Sequence, residues 1–471
     1  MIQLTGLLVL PTVGIIALII KKVLHLGLTE EKIVTSVTIA TIAIFFLGLL
    51  LGFQSFSFPL INSIGFSFTL QLNGISIPFL LLAIVLPGLG LWSAYKEIKE
   101  NKTLFYIFYL FSYLSLIAVF MSSNLISFFI FWEIILISFF FIIAFWGEKE
   151  TKRKASMKFL IFTQFGSMLL LGAFILLYVY TGSFNLNTIA SSISLIPSQI
   201  QDVIFFFVLM AAIIKMPLFP LHSWLPDAHT SAPTAGSVLL AGVLLKLGAY
   251  VLILFAVLLM PAVVRTFQIP LIILGLFTIL YSTFAASAQR DFKRLIAYSS
   301  IFYMALVFIG IASLNSLGET GAIVLIVSHG FIVGMLFVLA GTLKEKTGTR
   351  DLDRLGGLMS KMPMYAFFLV LAVIATLGVP GLSNFPGELL VLLGAYAVYP
   401  MALIALAGVL IATNYYLSAV KKILFNSLKK AFIKMTDISS FDALQLSLFT
   451  IFIVVLGIMP SILINSFNLT I

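Results

Sequence analysis

The chain has 471 residues, of which 61% are hydrophobic and only 9% are charged. A soluble domain carries about 25% charged residues, so the composition excludes that class and predicts a polytopic membrane protein. In a soluble protein, the net charge of +10 would suggest a nucleic acid partner. In a membrane protein, basic loops that orient the spans account for such a charge, so we expect no nucleic acid partner. The absence of cysteine excludes disulfides, cysteine-ligated iron–sulfur clusters and thiolate zinc sites.

Apolar runs predict about fourteen transmembrane helices, because a helix needs about 20 apolar residues to cross the hydrocarbon core. They lie near 3–24, 32–53, 75–95, 103–121, 125–146, 156–180, 202–225, 234–258, 269–288, 293–314, 320–343, 362–397, 400–424 and 443–466. No basic residue precedes the first run, so we expect a span there and not a signal peptide. The sequence therefore predicts an all-α polytopic protein in contact with a lipid bilayer, and we assign its 46 phenylalanines to packing and to lipid-facing surfaces.

Basic residues cluster in alternate loops, at 21–32, 96–102, 149–158, 290–294, 344–361 and 421–434. The other loops contain a single basic residue, Arg265. Cytoplasmic loops are enriched in Lys and Arg, which places the odd-numbered loops in the cytoplasm and both termini outside a cell (plasma) membrane. The loop between spans seven and eight lacks Lys and Arg, so we expect it to fold into the protein.

Alternating apolar and polar residues at 53–74 predict a small external β-hairpin with a structural role.

Prolines and glycines interrupt two spans, in KMPLFPLH of span seven and GVPGLSNFPGELL of span twelve. Each interruption carries an ionisable residue, Lys215 in the first and Glu388 in the second. The two spans lie five apart and enter the membrane in opposite directions, which is typical of inverted repeats with an ion site at their interface. We therefore divide the chain into three spans with the hairpin (1–102), a first five-helix repeat (103–258), an inverted second repeat (259–425) and a last span (426–471).

Five ionisable residues fall within predicted spans: Glu133, Lys215, Lys246, His329 and Glu388. Each membrane charge costs roughly 2.5–3.5 kcal/mol on insertion scales, so such residues usually line a buried polar path. A neutral, hydrogen-bonded acid is the alternative for Glu133, and a histidine bonded to a carbonyl is the alternative for His329. The presence of four membrane charges favours a path in which Glu133 pairs with a lysine and modulates its proton affinity.

The turn between spans seven and eight contains His222, Asp227 and His229. Zinc requires three or four ligands with regular spacing, so we expect a polar opening to the cytoplasm and no metal. We expect Thr230, Ser231 and Thr234 to cap span eight.

The run KMPLFPLHSWLPDAHTSAPTAGSVLLAGVLLKLGAY, residues 215–250, closely resembles the signature of the proton-pumping membrane subunits of respiratory complex I and the related multisubunit sodium/proton antiporters. FWEIILISFFFIIAFWG around Glu133, SHGF at 328–331 and GVPGLSNFPGELL at 378–390 resemble the same family. The glutamate at 388 is similar to the subunit M type (chain 4 type in mitochondria), where other paralogues usually have lysine.

The resemblance implies a proton path through Glu133, Lys215, Lys246, His329 and, on the exit side, Glu388. It implies paralogous antiporter-like and other membrane-arm subunits as partners. It implies no cofactor in this chain, with quinone, flavin and iron–sulfur clusters in partner subunits. One residue departs from the pattern: Tyr303 stands where the family often has a histidine, and a pKa near 10 makes tyrosine a poor proton carrier at neutral pH.

The sequence thus predicts a proton-translocating subunit of an NADH:quinone-type oxidoreductase, without a redox site of its own. One alternative is a sodium/proton antiporter subunit, or the equivalent module of a membrane-bound hydrogenase or F420-type dehydrogenase complex. Another is a solute transporter whose lysines bind an anionic substrate.

Overall fold

The computed structural model describes residues 2–24, 29–61 and 66–466. Within these ranges 13 helices are long and apolar enough to cross a membrane. Two shorter apolar helices, Pro363–Thr376 and Asn384–Val398, form one further, interrupted span. The predicted all-α class with about fourteen spans is therefore confirmed.

Helices of the first half are α1 (Thr5–Leu24), α2 (Glu30–Leu51), α3 (Ser76–Glu97), α4 (Lys102–Met121), α5 (Leu125–Trp146), α6 (Lys152–Thr181), α7 (Leu186–Ser192), α8 (Ser198–Lys215), α9 (Trp224–Ser231), α10 (Thr234–Leu239) and α11 (Lys246–Leu252). Helices of the second half are α12 (Pro261–Thr266), α13 (Gln268–Ser287), α14 (Phe292–Ala312), α15 (Ser316–Thr347), α16 (Pro363–Thr376), α17 (Asn384–Val398), α18 (Ala405–Val420), α19 (Ser440–Ile458) and α20 (Ser461–Ile464). The predicted last span, 443–466, is therefore shorter and ends in the separate turn of α20.

The predicted hairpin is present as the antiparallel strands β3 (Phe56–Ile61) and β4 (Phe66–Leu70), with Phe58 opposite Phe68. Its connection, residues 62–65, lies outside the described residues. Two short strands, β1 (Ile2–Gln3) and β2 (Phe53–Gln54), pair in parallel beside it. We call this side of the molecule the hairpin face and the side with the Lys- and Arg-rich loops the basic face.

Span seven is interrupted where the sequence predicts, because Pro217 and Pro220 have no N–H to continue the helix. Helix α8 stops at Lys215, and the chain then turns into α9. The indole N–H of Trp224 donates to the carbonyl of Ile214 at 3.0 Å, which satisfies one carbonyl that the break leaves open. His222 and His229 are buried, so the turn is folded into the protein as expected.

Span twelve is interrupted between α16, which ends at Thr376, and α17, which begins at Asn384. Two glycines in this turn have left-handed backbone conformations, with φ of 64° at Gly378 and 93° at Gly381. Glycine adopts these angles without the steric cost that other residues meet. Both predicted interruptions are therefore confirmed.

Three spans form the centre of the molecule. The span Thr234–Val257 is buried along its whole length, and the most apolar 18-residue stretches of Ser316–Thr347 and Phe292–Ala312 are 100% and 94% buried. The first of these contains two π-helical turns, Leu240–Leu244 and Ile253–Val257, on either side of α11. Turns of this kind are frequent at functional sites. Gly242 and Gly330 let α15 approach this helix closely, since a Cβ at 330 would lie 3.1 Å from the Gly242 carbonyl.

The prediction that Thr230, Ser231 and Thr234 cap span eight is wrong, because none of these hydroxyls caps the start of α10. The hydroxyl of Thr230 donates back to the Pro226 carbonyl at 2.6 Å. The backbone N–H of Thr234 is instead capped by the carboxylate of Glu97, on α3, at 2.7 Å. The cap is a tertiary contact, which links the start of α10 to the basic end of α3.

Candidate proton path

Lys215 lies at the end of α8 with its ammonium over the ring of Trp132, 4.5 Å from the ring centroid. Its side chain is buried, and its Nζ has no hydrogen-bond partner among the described residues. Trp132 is held in place by α6, because its indole N–H donates to the Ser167 hydroxyl at 2.9 Å. An aromatic face can stabilise a desolvated cation by about 2 kcal/mol, so Trp132 takes the place of a polar partner.

Glu133 follows Trp132 in α5 and is partly buried. Its charge acts on Lys215, but the two form no ion pair within 4 Å in the part of the chain that the structure describes. Its Oε1 atom is buried without a hydrogen-bond partner. The structure therefore brings the predicted pair into one cluster, with electrostatic interaction but without direct contact.

Lys246 opens α11 directly after a π-helical turn and is completely buried. Its ammonium contacts the Ala241 carbonyl on its own helix. The same ammonium lies 3.0 Å from Nδ1 of His329, on α15. A lysine and a histidine from different central helices are thus in hydrogen-bond contact, as a proton relay requires.

The contacts continue from His329 to the break in span twelve. The ring of Tyr303 lies 5.1 Å from the His329 ring, measured between centroids. Its hydroxyl donates to the Thr376 carbonyl at the end of α16, and the Asn384 amide donates to the same oxygen at 3.3 Å. Tyr303 therefore joins the central histidine to this break.

Glu388 lies in the first turns of α17 and is 7% exposed. Its carboxylate packs against Gly378, where a Cβ would lie 3.0 Å from the carboxyl carbon. Its Oε1 atom is buried without a hydrogen-bond partner among the described residues. The break thus presents a desolvated carboxyl group beside Tyr303. We call Lys246, His329, Tyr303 and Glu388 the row; Glu388 is its last member.

Two further buried residues belong beside this row, although the sequence did not identify them as part of it. His229 is completely buried, stacks on Phe337 at 4.7 Å between ring centroids, and has no hydrogen bond to either ring nitrogen within the described ranges. The charges of Lys246 and Lys293 both act on it. Lys293, which the charge pattern of the sequence assigns to a loop, is 2% exposed and donates to the Ala232 carbonyl at 2.6 Å.

A cavity of about 310 Å³ opens at the basic face next to Lys293. Its charged lining comprises four basic and four acidic residues: Lys96, Lys293, Lys344, Arg350, Glu97, Glu148, Glu345 and Asp442. The formal charges cancel, so the cavity offers no net attraction to an anion. A neutral, polar cavity of this size can hold water, and water can bring protons to Lys293.

Glu148, between α5 and α6, connects the two halves of the molecule at this cavity. Its carboxylate accepts a hydrogen bond from Lys344 and lies 3.4 Å from the Arg350 guanidinium. Burial acts to raise the pKa of Glu148, but the Lys344 hydrogen bond and the Arg350 charge outweigh it, so the pKa lies below its ordinary value of 4.5. Glu148 is therefore ionised at neutral pH.

The other polar residues of the span seven–eight turn have partners of their own. Nε2 of His222 lies 3.2 Å from the Tyr281 hydroxyl. Asp227 accepts hydrogen bonds from Lys158 at 2.9 Å and Arg294 at 3.0 Å. The described residues contain no group of three or more His, Asp or Glu that could hold a metal.

Comparison with known proteins places this geometry in a family. A profile of the family described as "NADH:quinone oxidoreductase/Mrp antiporter, TM" matches residues 122–413, which include the whole row. The chain belongs to this family. Its members include NADH-quinone oxidoreductase subunit M of Rickettsia bellii (strain RML369-C), which is 37% identical over 417 residues, covering 87% of this chain and 83% of the relative.

Other relatives are similar to this chain over most of its length. Subunit M of Escherichia coli (strain K12) is 35% identical over 418 residues, covering 86% of this chain and 82% of the relative. NADH-ubiquinone oxidoreductase chain 4 of Marchantia polymorpha is 32% identical over 474 residues, covering 98% and 94%. The resemblance to the subunit M type of this family is confirmed.

Solved structures support the same fold. A chain of respiratory complex I from Thermus thermophilus with bound NADH matches with a TM-score of 0.89 at 28% identity, covering 98% of this chain and 97% of that chain. A chain of the membrane-bound sulfane sulfur reductase, an archaeal respiratory membrane complex, also reaches 0.89, at 23% identity and with 98% and 77% covered. The first match confirms the predicted all-α fold class with about fourteen spans.

Proposed function

We propose that this chain is a proton-translocating membrane-arm subunit of an NADH:quinone-type oxidoreductase. The names of its subunit M and chain 4 relatives support this assignment. One observation of the structure carries it: the Lys246 ammonium lies 3.0 Å from His329 within the buried centre of the fold. A buried lysine in contact with a histidine is costly in a lipid environment, and such groups mark ion pathways.

In the proposed mechanism, a proton from the cytoplasm is taken up on Lys215. The field of Glu133 and the face of Trp132 stabilise the resulting ammonium. When this cluster is disturbed, Lys215 releases its proton towards Lys246. Because the described residues show no direct contact between Lys215 and Lys246, this step requires water.

From Lys246 the proton passes to His329 and then to Glu388, from which it leaves on the hairpin face. Tyr303 lies between His329 and the break at Glu388. In this mechanism its hydroxyl holds water in the gap and does not ionise, in keeping with its pKa near 10 in free solution. Glu388 can accept a proton readily because its carboxyl group is buried with an unsatisfied oxygen.

The same proposal fixes the orientation in the membrane. The basic face lies in the cytoplasm and the hairpin face and both termini lie outside a plasma membrane, in accordance with the distribution of Lys and Arg. The cavity beside Lys293 then opens to the cytoplasm. Through Lys293 and His229 it provides a second polar approach to Lys246.

The driving energy comes from partner subunits, which in this proposal hold the flavin, the iron–sulfur clusters and the quinone. Moving one charge against 100 mV requires about 2.3 kcal/mol. Paralogous antiporter-like subunits are the expected neighbours in the membrane arm.

The test replaces Lys246 by methionine in the assembled respiratory complex, reconstituted into vesicles. We expect pumping to be lost and quinone reduction to slow, while the complex still assembles. The matched control is Lys99→Met, at an exposed lysine of the basic face, which should pump normally. Wild-type pumping in the assembled Lys246→Met complex would contradict the proposal.

The family description also includes Mrp antiporters, so a sodium/proton antiporter module is the second candidate. Proton pumping that requires sodium in the same vesicles would favour it. Pumping at an unchanged rate in nominally sodium-free buffer would favour the proton-only path.

A further inference from the structure

Tyr250 lies one helical turn from Lys246, on the side of the hairpin face. Both residues belong to α11, and residues four apart lie on the same side of a helix. From the positions of their partners, we infer that Tyr250 and three phenylalanines form a seal that separates Lys246 from the outer solution. This inference rests on the proposed function, because a seal has a role only if Lys246 carries protons.

Phenylalanine rings enclose the ring of Tyr250. Phe79 on α3 and Phe120 on α4 both lie 5.0 Å from it between centroids, with interplanar angles of 64° and 88°. Phe128 on α5 stacks on it at 6.4 Å and 10°. All four side chains are at most 1% exposed. Three different helices thus supply an apolar collar of buried rings around Tyr250, which offers water no hydrogen-bond partner.

The hydroxyl of Tyr250 reaches the polar end of the collar on the hairpin face. It donates to the Phe120 carbonyl at 3.2 Å and accepts from the Asn73 amide at 3.0 Å. Its oxygen lies 3.3 Å from the Ser76 hydroxyl. Asn73 is partly exposed, so this cluster lies at the surface while the ring extends inward.

These contacts distinguish a seal from a proton wire. A relay group must accept a proton on one side and release one on the other. The Tyr250 hydroxyl directs its single proton to a backbone carbonyl, and its oxygen is already contacted by a side-chain donor. The hydrogen bonds therefore fix the ring in the collar. A pump needs such a barrier, because a central lysine open to both sides would let protons flow back.

The test uses the assembled complex in vesicles with an imposed pH gradient and no electron donor. We expect Tyr250→Ser to dissipate the gradient severalfold faster than the wild type, because water fills the space of the ring. Tyr250→Phe keeps the ring and should hold the gradient as the wild type does. Phe128→Ala opens the collar from another helix, without removing a hydrogen bond of Tyr250, and should also leak.

The double variant Tyr250→Ser with Lys246→Met identifies the route of the leak. If protons return through Lys246, the double variant should hold the gradient again, whereas general loosening of the bundle would leave it leaky. The inference is overturned if the assembled Tyr250→Ser and Phe128→Ala complexes both hold the gradient, or if the double variant still leaks. It is also overturned if Tyr250→Phe stops pumping, because loss of pumping on removal of the hydroxyl is what a proton wire predicts. Failure of the proposed function has a different signature, namely normal pumping in Lys246→Met alone.

Discussion

Replacing Trp132 by leucine tests how the protein stabilises the charge on Lys215. The substitution keeps an apolar side chain but removes the aromatic face that lies 4.5 Å from the ammonium. For a desolvated cation this contact contributes about 2 kcal/mol. Since about 1.4 kcal/mol corresponds to a factor of ten, the proton affinity of Lys215 should fall roughly 30-fold.

The expected result is a displaced pH profile of pumping. The ammonium form is lost as the pH rises, and with less stabilisation it is lost at a lower pH. The Trp132→Leu complex should therefore pump like the wild type in acid, while the alkaline limb of its profile moves down by about 1.5 pH units. The assay is the initial pumping rate of reconstituted vesicles as the pH on the side of the basic face is varied.

Trp132→Phe is the matched control, because phenylalanine keeps a ring over Lys215 but cannot donate to Ser167. We expect its alkaline limb to lie between those of the wild type and Trp132→Leu. Two results would refute this reasoning. One is a Trp132→Leu profile that coincides with the wild type, and the other is equal impairment of both variants, which would assign the effect to the indole hydrogen bond.

Two further predictions concern the exit side and the basic face. Gly378→Ala should slow pumping at every pH while the complex assembles, because its Cβ displaces the Glu388 carboxylate. The control is Gly381→Ala, also at a positive φ but with no described atom within 4 Å of the added Cβ. It should strain the backbone without slowing pumping. Glu148→Gln should lower the melting temperature at pH 7, at a cost of at most about 1 kcal/mol because the carboxylate is one-third exposed. Because the pKa of Glu148 is lowered in the folded state, the ionised carboxylate stabilises the fold above pH 4.5. This stabilisation is lost as the pH falls through the folded-state pKa of Glu148. The difference in melting temperature between Glu148→Gln and the wild type should therefore shrink in acid. A difference that persists in acid would assign the effect to packing.

Much of the architecture follows from local features of the sequence. Proline removes a backbone donor wherever it occurs, so the breaks after Lys215 and before Glu388 can be located without a structure. The alternation of Lys- and Arg-rich loops fixes the number of spans, because one miscounted span would reverse every loop after it. The apolar lengths then determine the helices, apart from the shorter last span.

The partners of the site residues could not be predicted in the same way, because they depend on side-chain directions across helices. The pattern FWEII predicts a carboxylate near Lys215, but the lysine contacts Trp132 in place of Glu133. The helix cap at Thr234 comes from Glu97, which lies 137 positions away in the chain. Lys293 resembles an ordinary loop lysine in the sequence, and only the packing of α14 shows that it is buried.

The proposed path consists of two segments with different physical character, and the variants separate them. Around Lys215 the chain supplies an aromatic face and a carboxylate that acts on the lysine without direct contact. A change there alters how often the lysine carries a proton and shifts the pH profile. From Lys246 onward the groups are close or in contact, as the 3.0 Å distance to His329 shows. A change at the far end, such as Gly378→Ala, alters how fast an occupied path releases its proton and lowers the rate at every pH. A pH profile of Trp132→Leu that is displaced, and one of Gly378→Ala that is lowered equally at every pH, would therefore assign proton uptake to the break in span seven and proton release to the break in span twelve.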